Sequence, residues 1–136
     1  MDNEIKEASI IIFVYGTLMK GMGNHDFYLS DSRYLGKGVL DGYRLYELGS
    51  YPGIKAGDGS VLGEVYEVTP RTLDGLNELE GEGFLYKLKY ENITLESGGK
   101  IRAGIYEYLR TVDPENYIPV EKQPWKKVLA ERQNVK

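Results

Sequence analysis

One carboxylate stands out by its angular position. Leu73, Leu76 and Leu79 recur at helical spacing after Thr69-Pro70, an N-cap residue followed by proline at the first helical position, and Gly81 supplies a stop. The spacing therefore predicts a helix over 70–80. At 100° per residue Glu80 lies about 40° from the centre of the leucine stripe, whereas Glu78 lies about 160° away. Glu78 is expected in solvent and Glu80 turned toward the core. Burial disfavours the ionised form and a helix C-terminus carries partial negative charge, so both effects are expected to raise the Glu80 pKa toward neutrality. That describes a poised general acid/base. The angles leave open a Glu80 that bends from the last turn into water or pairs with a lysine.

The second chemical feature is Tyr15-Gly16-Thr17-Leu18, which ends the apolar run Ile10 to Val14. Glycine there lets the backbone approach a ligand, and successive N–H groups can point at an anion or a carbonyl oxygen; an ordinary turn after a core strand fits the same residues. A phosphate loop is excluded. Gly16 and Gly21 have the spacing, but Met22 and Gly23 stand where lysine and a hydroxyl residue are required. Cysteine is absent and His25 is the single histidine, which removes thiolate nucleophiles, zinc fingers and HExxH sites. His25, Asp26 and Ser50 make no credible triad, because no GxSxG elbow surrounds a serine. Chemistry is left to carboxylates, hydroxyls, amines and backbone.

The elements that must position these residues are short. The 136-residue chain has 17 glycines and 12 tyrosines, as expected of frequent turns between tyrosine-rich strands. Ile10 to Tyr15 reads as a buried strand, Asn24 to Leu29 as a short helical turn, and Arg33–Leu40 and Tyr43–Leu48 as strands joined by an Asp41-Gly42 hairpin turn. After a loop at Gly49-Ser50-Tyr51-Pro52-Gly53, a third strand runs from Val61 to Val68 with Glu64 and Tyr66 on its alternate face. Phe84–Glu96 and Ile101–Leu109 form a hairpin, and a basic helix spans Trp125–Arg132. Tyr86, Tyr90, Tyr106 and Tyr108 read mainly as packing residues of these strands. The expected fold is α+β: a small, mostly antiparallel, strongly curved or barrel-like sheet with one principal helix. It is read as a single domain over 1–136, with a core of about 10–110 and a variable tail, 111–136.

Charge and hydropathy narrow the partners. Twenty-one acidic residues against 17 Lys and Arg give a net charge of −4, which disfavours nucleic acid. The acidic Met1–Ser9 stretch lacks the charged start of a signal peptide, and no segment approaches the ~20 apolar residues of a membrane helix. A cytoplasmic protein without nucleic-acid or membrane partners is the expectation.

Taken in order, Tyr15-Gly16-Thr17-Leu18 with Gly21 and Asn24-His25, then Tyr51-Pro52-Gly53-Ile54, Gly63 to Val68, and Leu76-Asn77-Glu78-Leu79-Glu80-Gly81 followed by Tyr86 resemble the γ-glutamylcyclotransferase-like superfamily. They resemble in particular its AIG2-like, γ-glutamylamine cyclotransferase branch. The resemblance implies a small mixed barrel whose cavity is closed by the loop Tyr15, Gly16, Thr17 and Leu18, the loop backbone holding a γ-glutamyl substrate. It places the family's acid/base glutamate on Glu80 and lines the same cavity with Tyr86. Two departures fall where members differ in substrate: Leu88 stands where many have arginine, and Glu121 to Trp125 replaces a glycine-containing pattern.

The implied reaction needs no cofactor and no metal. The α-amine of a γ-glutamyl amine or peptide attacks its own γ-carbonyl, releasing 5-oxoproline and a free amine. Two further readings are a non-catalytic small-molecule-binding member of the fold and an enzyme that removes a γ-glutamyl protecting group from a secondary metabolite. Neither the leaving amine nor an oligomeric state is specified by these motifs.

Overall fold

In the computed structural model, which describes residues 10–133, the β-branched run forms β1 (Ile10–Val14). The acidic segment Met1–Ser9 lies outside the described residues. A short helix, α1 (His25–Leu29), follows the loop after β1, and two long strands come next, β2 (Arg33–Glu47) and β3 (Pro52–Val68). Helix α2 (Pro70–Glu80) leads into the hairpin of β4 (Tyr86–Leu95) and β5 (Lys100–Tyr108). The tail adds a two-residue strand, β6 (Tyr117–Ile118), and helix α3 (Trp125–Gln133).

Five strands close on themselves in the order β3-β1-β5-β4-β2, with β2 returning to pair with β3, and β6 adds to β2 outside the ring. The barrel is mixed because β1 runs parallel to β5, aligned at Ile12 and Gly104, while the other pairs are antiparallel. Closure leaves no free edge in the ring, and the interior is filled by side chains such as Phe13, Leu45, Ile54, Val65, Ile93 and Ile105, all buried. The α+β barrel with one principal helix is thus the architecture expected from sequence.

Two boundaries differ from the expectation. Asp41-Gly42 does not turn a hairpin; β2 runs through it without a break. Gly42, at φ +85°, instead takes up a register irregularity in which Asp41 faces Ser60 and Tyr43 faces Ala56, so residues 57–59 oppose Gly42 alone. A bulge and a tight turn both require the left-handed conformation that glycine provides, so the dipeptide signals either. The actual turn lies between Glu47 and Pro52, closed by the Leu48 N–H donating to the Tyr51 carbonyl at 2.9 Å. Strand β3 therefore begins at Pro52 rather than near Val61, and Pro52-Gly53 belongs to the barrel wall.

Helix α2 is built as its caps dictate. The Thr69 hydroxyl accepts the Thr72 N–H at 3.1 Å, and Gly81 adopts the left-handed conformation (φ 60°, ψ 50°). The Glu82 N–H then reaches the Asn77 carbonyl at 2.9 Å and the Gly81 N–H the Glu78 carbonyl at 3.2 Å, a Schellman closure. Leu76 is buried against the barrel and Glu78 is exposed.

Candidate active site

Where β1 leaves the barrel, a cavity of about 370 Å³ opens between the following loop and the end of α2. Its wall includes Tyr15, Gly16, Thr17, Leu18, Glu80 and Tyr86, so every site residue singled out in the sequence faces one space. The size suits a small molecule.

Among the described residues Glu80 is the only carboxylate on this wall, and no described lysine, arginine or histidine joins it. Among the described residues its carboxyl has no hydrogen-bond or ion-pair partner. Burial pushes its pKa from 4.5 up to about 7. The α2 closure satisfies the nearby Asn77 and Glu78 carbonyls. A carboxyl that titrates near neutrality without a fixed partner can both take and return a proton at physiological pH.

The facing tyrosines are held as donors. Tyr15 donates to the Tyr106 carbonyl at 2.6 Å, Tyr86 to the Pro52 carbonyl at 2.9 Å, and Tyr106 to Asn77 Oδ1 at 2.6 Å. Burial, joined by the nearby Glu80 charge, drives all three phenol pKa values well up, so they stay protonated. Tyr15 and Tyr86 thus shape the wall rather than titrate in it.

The loop after β1 is braced through its carbonyls. Gly16 O accepts the Met19 N–H at 3.1 Å and Thr17 O the Asn24 N–H at 3.1 Å, while Leu18 O accepts His25 Nδ1–H at 3.0 Å. Asn24 also donates its side-chain amide to Thr17 Oγ1 at 2.9 Å. With the carbonyls so engaged, the N–H groups of Gly16, Thr17 and Leu18 donate to no backbone acceptor among the described residues. Such unpaired donors beside a cavity are suited to an oxyanion or carboxylate. His25 is a buried structural histidine whose ring rests 5.5 Å from that of Tyr66, as expected for a helix-end residue outside the chemistry.

Several lining residues escaped the sequence reading, Tyr106, Ser50 and Tyr51 among them. Tyr106 was read as a packing residue of its strand, although it lies on the cavity wall and holds α2. Ser50 and Tyr51, exposed residues of the β2–β3 turn, also line the cavity. Of these three, only Tyr51 carried a signal, through the Tyr51-Pro52-Gly53-Ile54 motif. Leu88, the first departure from the family pattern, lies on β4 outside the lining, and Trp125, within the second, is fully buried at the start of α3.

The family model for gamma-glutamyl cyclotransferase, AIG2-like proteins matches residues 12–127. The chain belongs to this family. Among curated family members, the gamma-glutamylcyclotransferase family protein YtfP of Escherichia coli K12 is 38% identical over 102 residues, covering 75% of this chain and 85% of the relative. Solved structures of the same shape include an uncharacterised protein of Pyrococcus horikoshii, with TM-score 0.72, 30% identity and coverage of 91% of this chain and 96% of that one. A mouse AIG2-like protein superposes with TM-score 0.69 at 27% identity, covering 79% of this chain and 82% of its own. The gamma-glutamyl cyclotransferase family thus accounts for both the barrel and the order of the motifs along it. No helix among the described residues is long and apolar enough to cross a membrane.

Proposed function

We propose that this family member is a γ-glutamyl cyclotransferase that acts on γ-glutamyl amines, with Glu80 as general acid/base and the Tyr15–Leu18 loop as the binder of the γ-glutamyl group. The observation that carries the reading is a partnerless carboxyl titrating near 7 on the same cavity wall as the unpaired Gly16, Thr17 and Leu18 amides.

The reaction conserves its protons. Glu80 in its carboxylate form takes a proton from the substrate α-ammonium, and the freed amine attacks the γ-carbonyl carbon to close a five-membered ring. The developing oxyanion is held by loop N–H groups. Glu80 then returns the proton to the leaving nitrogen and takes the second proton from the new ring nitrogen; the old C–N bond breaks, the second proton passes to the departing amine, and 5-oxoproline and an ammonium leave. Water is not consumed, and no external nucleophile is required.

The magnitudes suffice. Intramolecular attack in a folded-back substrate reaches effective molarities of about 10⁵ to 10⁸ M. A positioned acid/base adds about 10²- to 10⁴-fold, and an oxyanion donor about 10²- to 10³-fold. The wall of the cavity, with Phe13, Val14, Leu79 and Leu85 among its apolar residues, supports both a folded-back substrate and a raised carboxyl pKa.

Incubation of the purified chain with a panel of γ-glutamyl amines, assayed for 5-oxoproline, tests the proposal. Product from at least one amine is expected. Saturable binding without product from any member of the panel overturns it in favour of a binding protein.

A further inference from the structure

We propose that Glu64 is a positioning residue for the cavity loop, acting through the backbone of Lys20, and that Lys126 of α3 completes the clamp from the other side. The inference rests on the reading of the loop amides as oxyanion donors given above.

Glu64, expected on the face of its strand opposite Val61 and Val65, is only 5% exposed, because the loop after β1 and helix α3 cover that face. It pairs in register with Val14, the last residue of β1, and so stands beside the point where the loop begins. Its neighbour Gly63 lies so close to that exit that a Cβ there would run into the Val14 carbonyl and the Phe13 ring. The spacing between β3 and the loop is thereby fixed by main chain.

The carboxylate is fully engaged. Oε1 accepts the Lys20 N–H at 2.8 Å and the Tyr66 hydroxyl at 2.9 Å, and Oε2 accepts Lys126 Nζ at 3.0 Å. The same Lys126 ammonium donates to the Lys20 carbonyl at 3.0 Å. Residue 20 is therefore gripped at its N–H by an anion and at its C=O by a cation. A second line runs from the same carboxylate through Tyr66, whose ring rests 5.5 Å from His25, the residue that holds the Leu18 carbonyl. Both lines end on the loop that carries the Gly16 to Leu18 amides.

Charge matters more than shape here. Glutamine at position 64 has one oxygen and one NH₂; if the oxygen keeps Lys20 and Tyr66, the NH₂ faces the Lys126 ammonium, donor against donor. Lys126 is half-buried, so Lys126→Met removes the second grip without opening a core cavity.

The test measures release of p-nitroaniline and 5-oxoproline from γ-glutamyl-p-nitroanilide, alongside amide hydrogen exchange of the ligand-free protein. Lys126→Met is expected to lower kcat about tenfold with KM within about twofold, since loss of loop register acts on the transition state. The acid limb of the pH profile stays in place, and Lys126→Arg recovers most of the rate. Glu64→Gln is expected to lose a similar factor, and the double variant little more than either alone. The hydrogen-bonded amides of Met19 and Lys20 should exchange about tenfold faster in Lys126→Met while those of β4 and β5 are unchanged. Additive losses, or thermal destabilisation with unchanged kcat, overturn the clamp. If the wild-type protein releases no 5-oxoproline from any γ-glutamyl compound, the proposed function fails, and the clamp is then decided by exchange alone: unchanged protection of the Met19 and Lys20 amides overturns it.

Discussion

The Tyr106 hydroxyl donates a 2.6 Å hydrogen bond to Oδ1 of Asn77, one turn before Glu80 on α2. The carbonyl of the same tyrosine accepts the Tyr15 hydroxyl, also at 2.6 Å. A single residue of β5 thus ties the helix that carries the carboxyl to the loop that carries the amides. The separation between the proposed base and the proposed oxyanion donors is set by the barrel rather than by either flexible end.

Tyr106→Phe keeps the ring and the carbonyl and removes only the bond to Asn77. It is expected to cost about 1 kcal/mol in chemical denaturation and to lower kcat about tenfold. Asn77→Ala should cost a similar rate factor, and the pair should be strongly non-additive. Full activity in Tyr106→Phe would show that α2 is placed by its leucines alone.

Glu80 links activity to stability. Its pKa is raised from 4.5 to about 7 by folding, so the native state holds more protons than the unfolded chain between those values. Stability therefore falls as pH rises through that window, and above it the buried charge costs up to about 3 kcal/mol. Glu80→Gln should lose at least 100-fold in kcat yet be more stable than wild type at pH 8, with the difference gone at pH 4. Glu78→Gln, on the exposed side of α2, should change neither. In wild type, kcat/KM should rise with pH about a midpoint near 7. Denaturation curves at both pH values and a pH–rate profile check these outcomes, and equal stability at pH 8 would contradict a buried ionised carboxyl.

Local rules carried most of the site. The placement of Glu80 follows from three leucines and one glycine cap, and the loop follows from a glycine after an apolar run. Non-local pairing left no such trace: the parallel alignment of β1 with β5 and the return of β2 to β3 join segments far apart in sequence. The same blindness hid Glu64, since a strand pattern cannot reveal that a loop and a distant helix cover its outward face. Asp41-Gly42 misled because a bulge and a turn place the same demand on glycine. Tyr106 was misread for a related reason, its partner Asn77 lying on another element.

Gly16 should not tolerate a side chain, although its backbone lies outside the left-handed region. A Cβ there would meet the Pro52 ring at 3.0 Å, and that ring is itself part of the cavity wall. Gly16→Val is expected to reduce kcat/KM at least 100-fold by displacing the loop amides. Thr17→Ser should cost less than about threefold, because its hydroxyl can still accept from Asn24, whereas Thr17→Val and Asn24→Ala should each cost more. Steady-state rates for the four variants, with circular dichroism to establish folding, separate loop position from loop chemistry.

The cavity also discriminates among leaving amines by charge. With Glu80 the only carboxylate and no lysine or arginine on the wall among the described residues, these offer no cation to a second carboxylate next to the scissile nitrogen, while Leu79, Leu85 and Pro52 present apolar surface. Ionised Glu80 would repel such a group, and the low-dielectric wall strengthens the repulsion. A γ-glutamyl alkylamine is therefore expected to exceed the γ-glutamyl amino acid of equal chain length by about tenfold or more in kcat/KM, and amidation of the latter's carboxylate should restore most of the loss. Competition assays with such matched pairs decide it. Equal turnover of the carboxylate-bearing and neutral partners would mean that the leaving group projects through the mouth past Ser50 and Tyr51 into solvent, where its charge is screened.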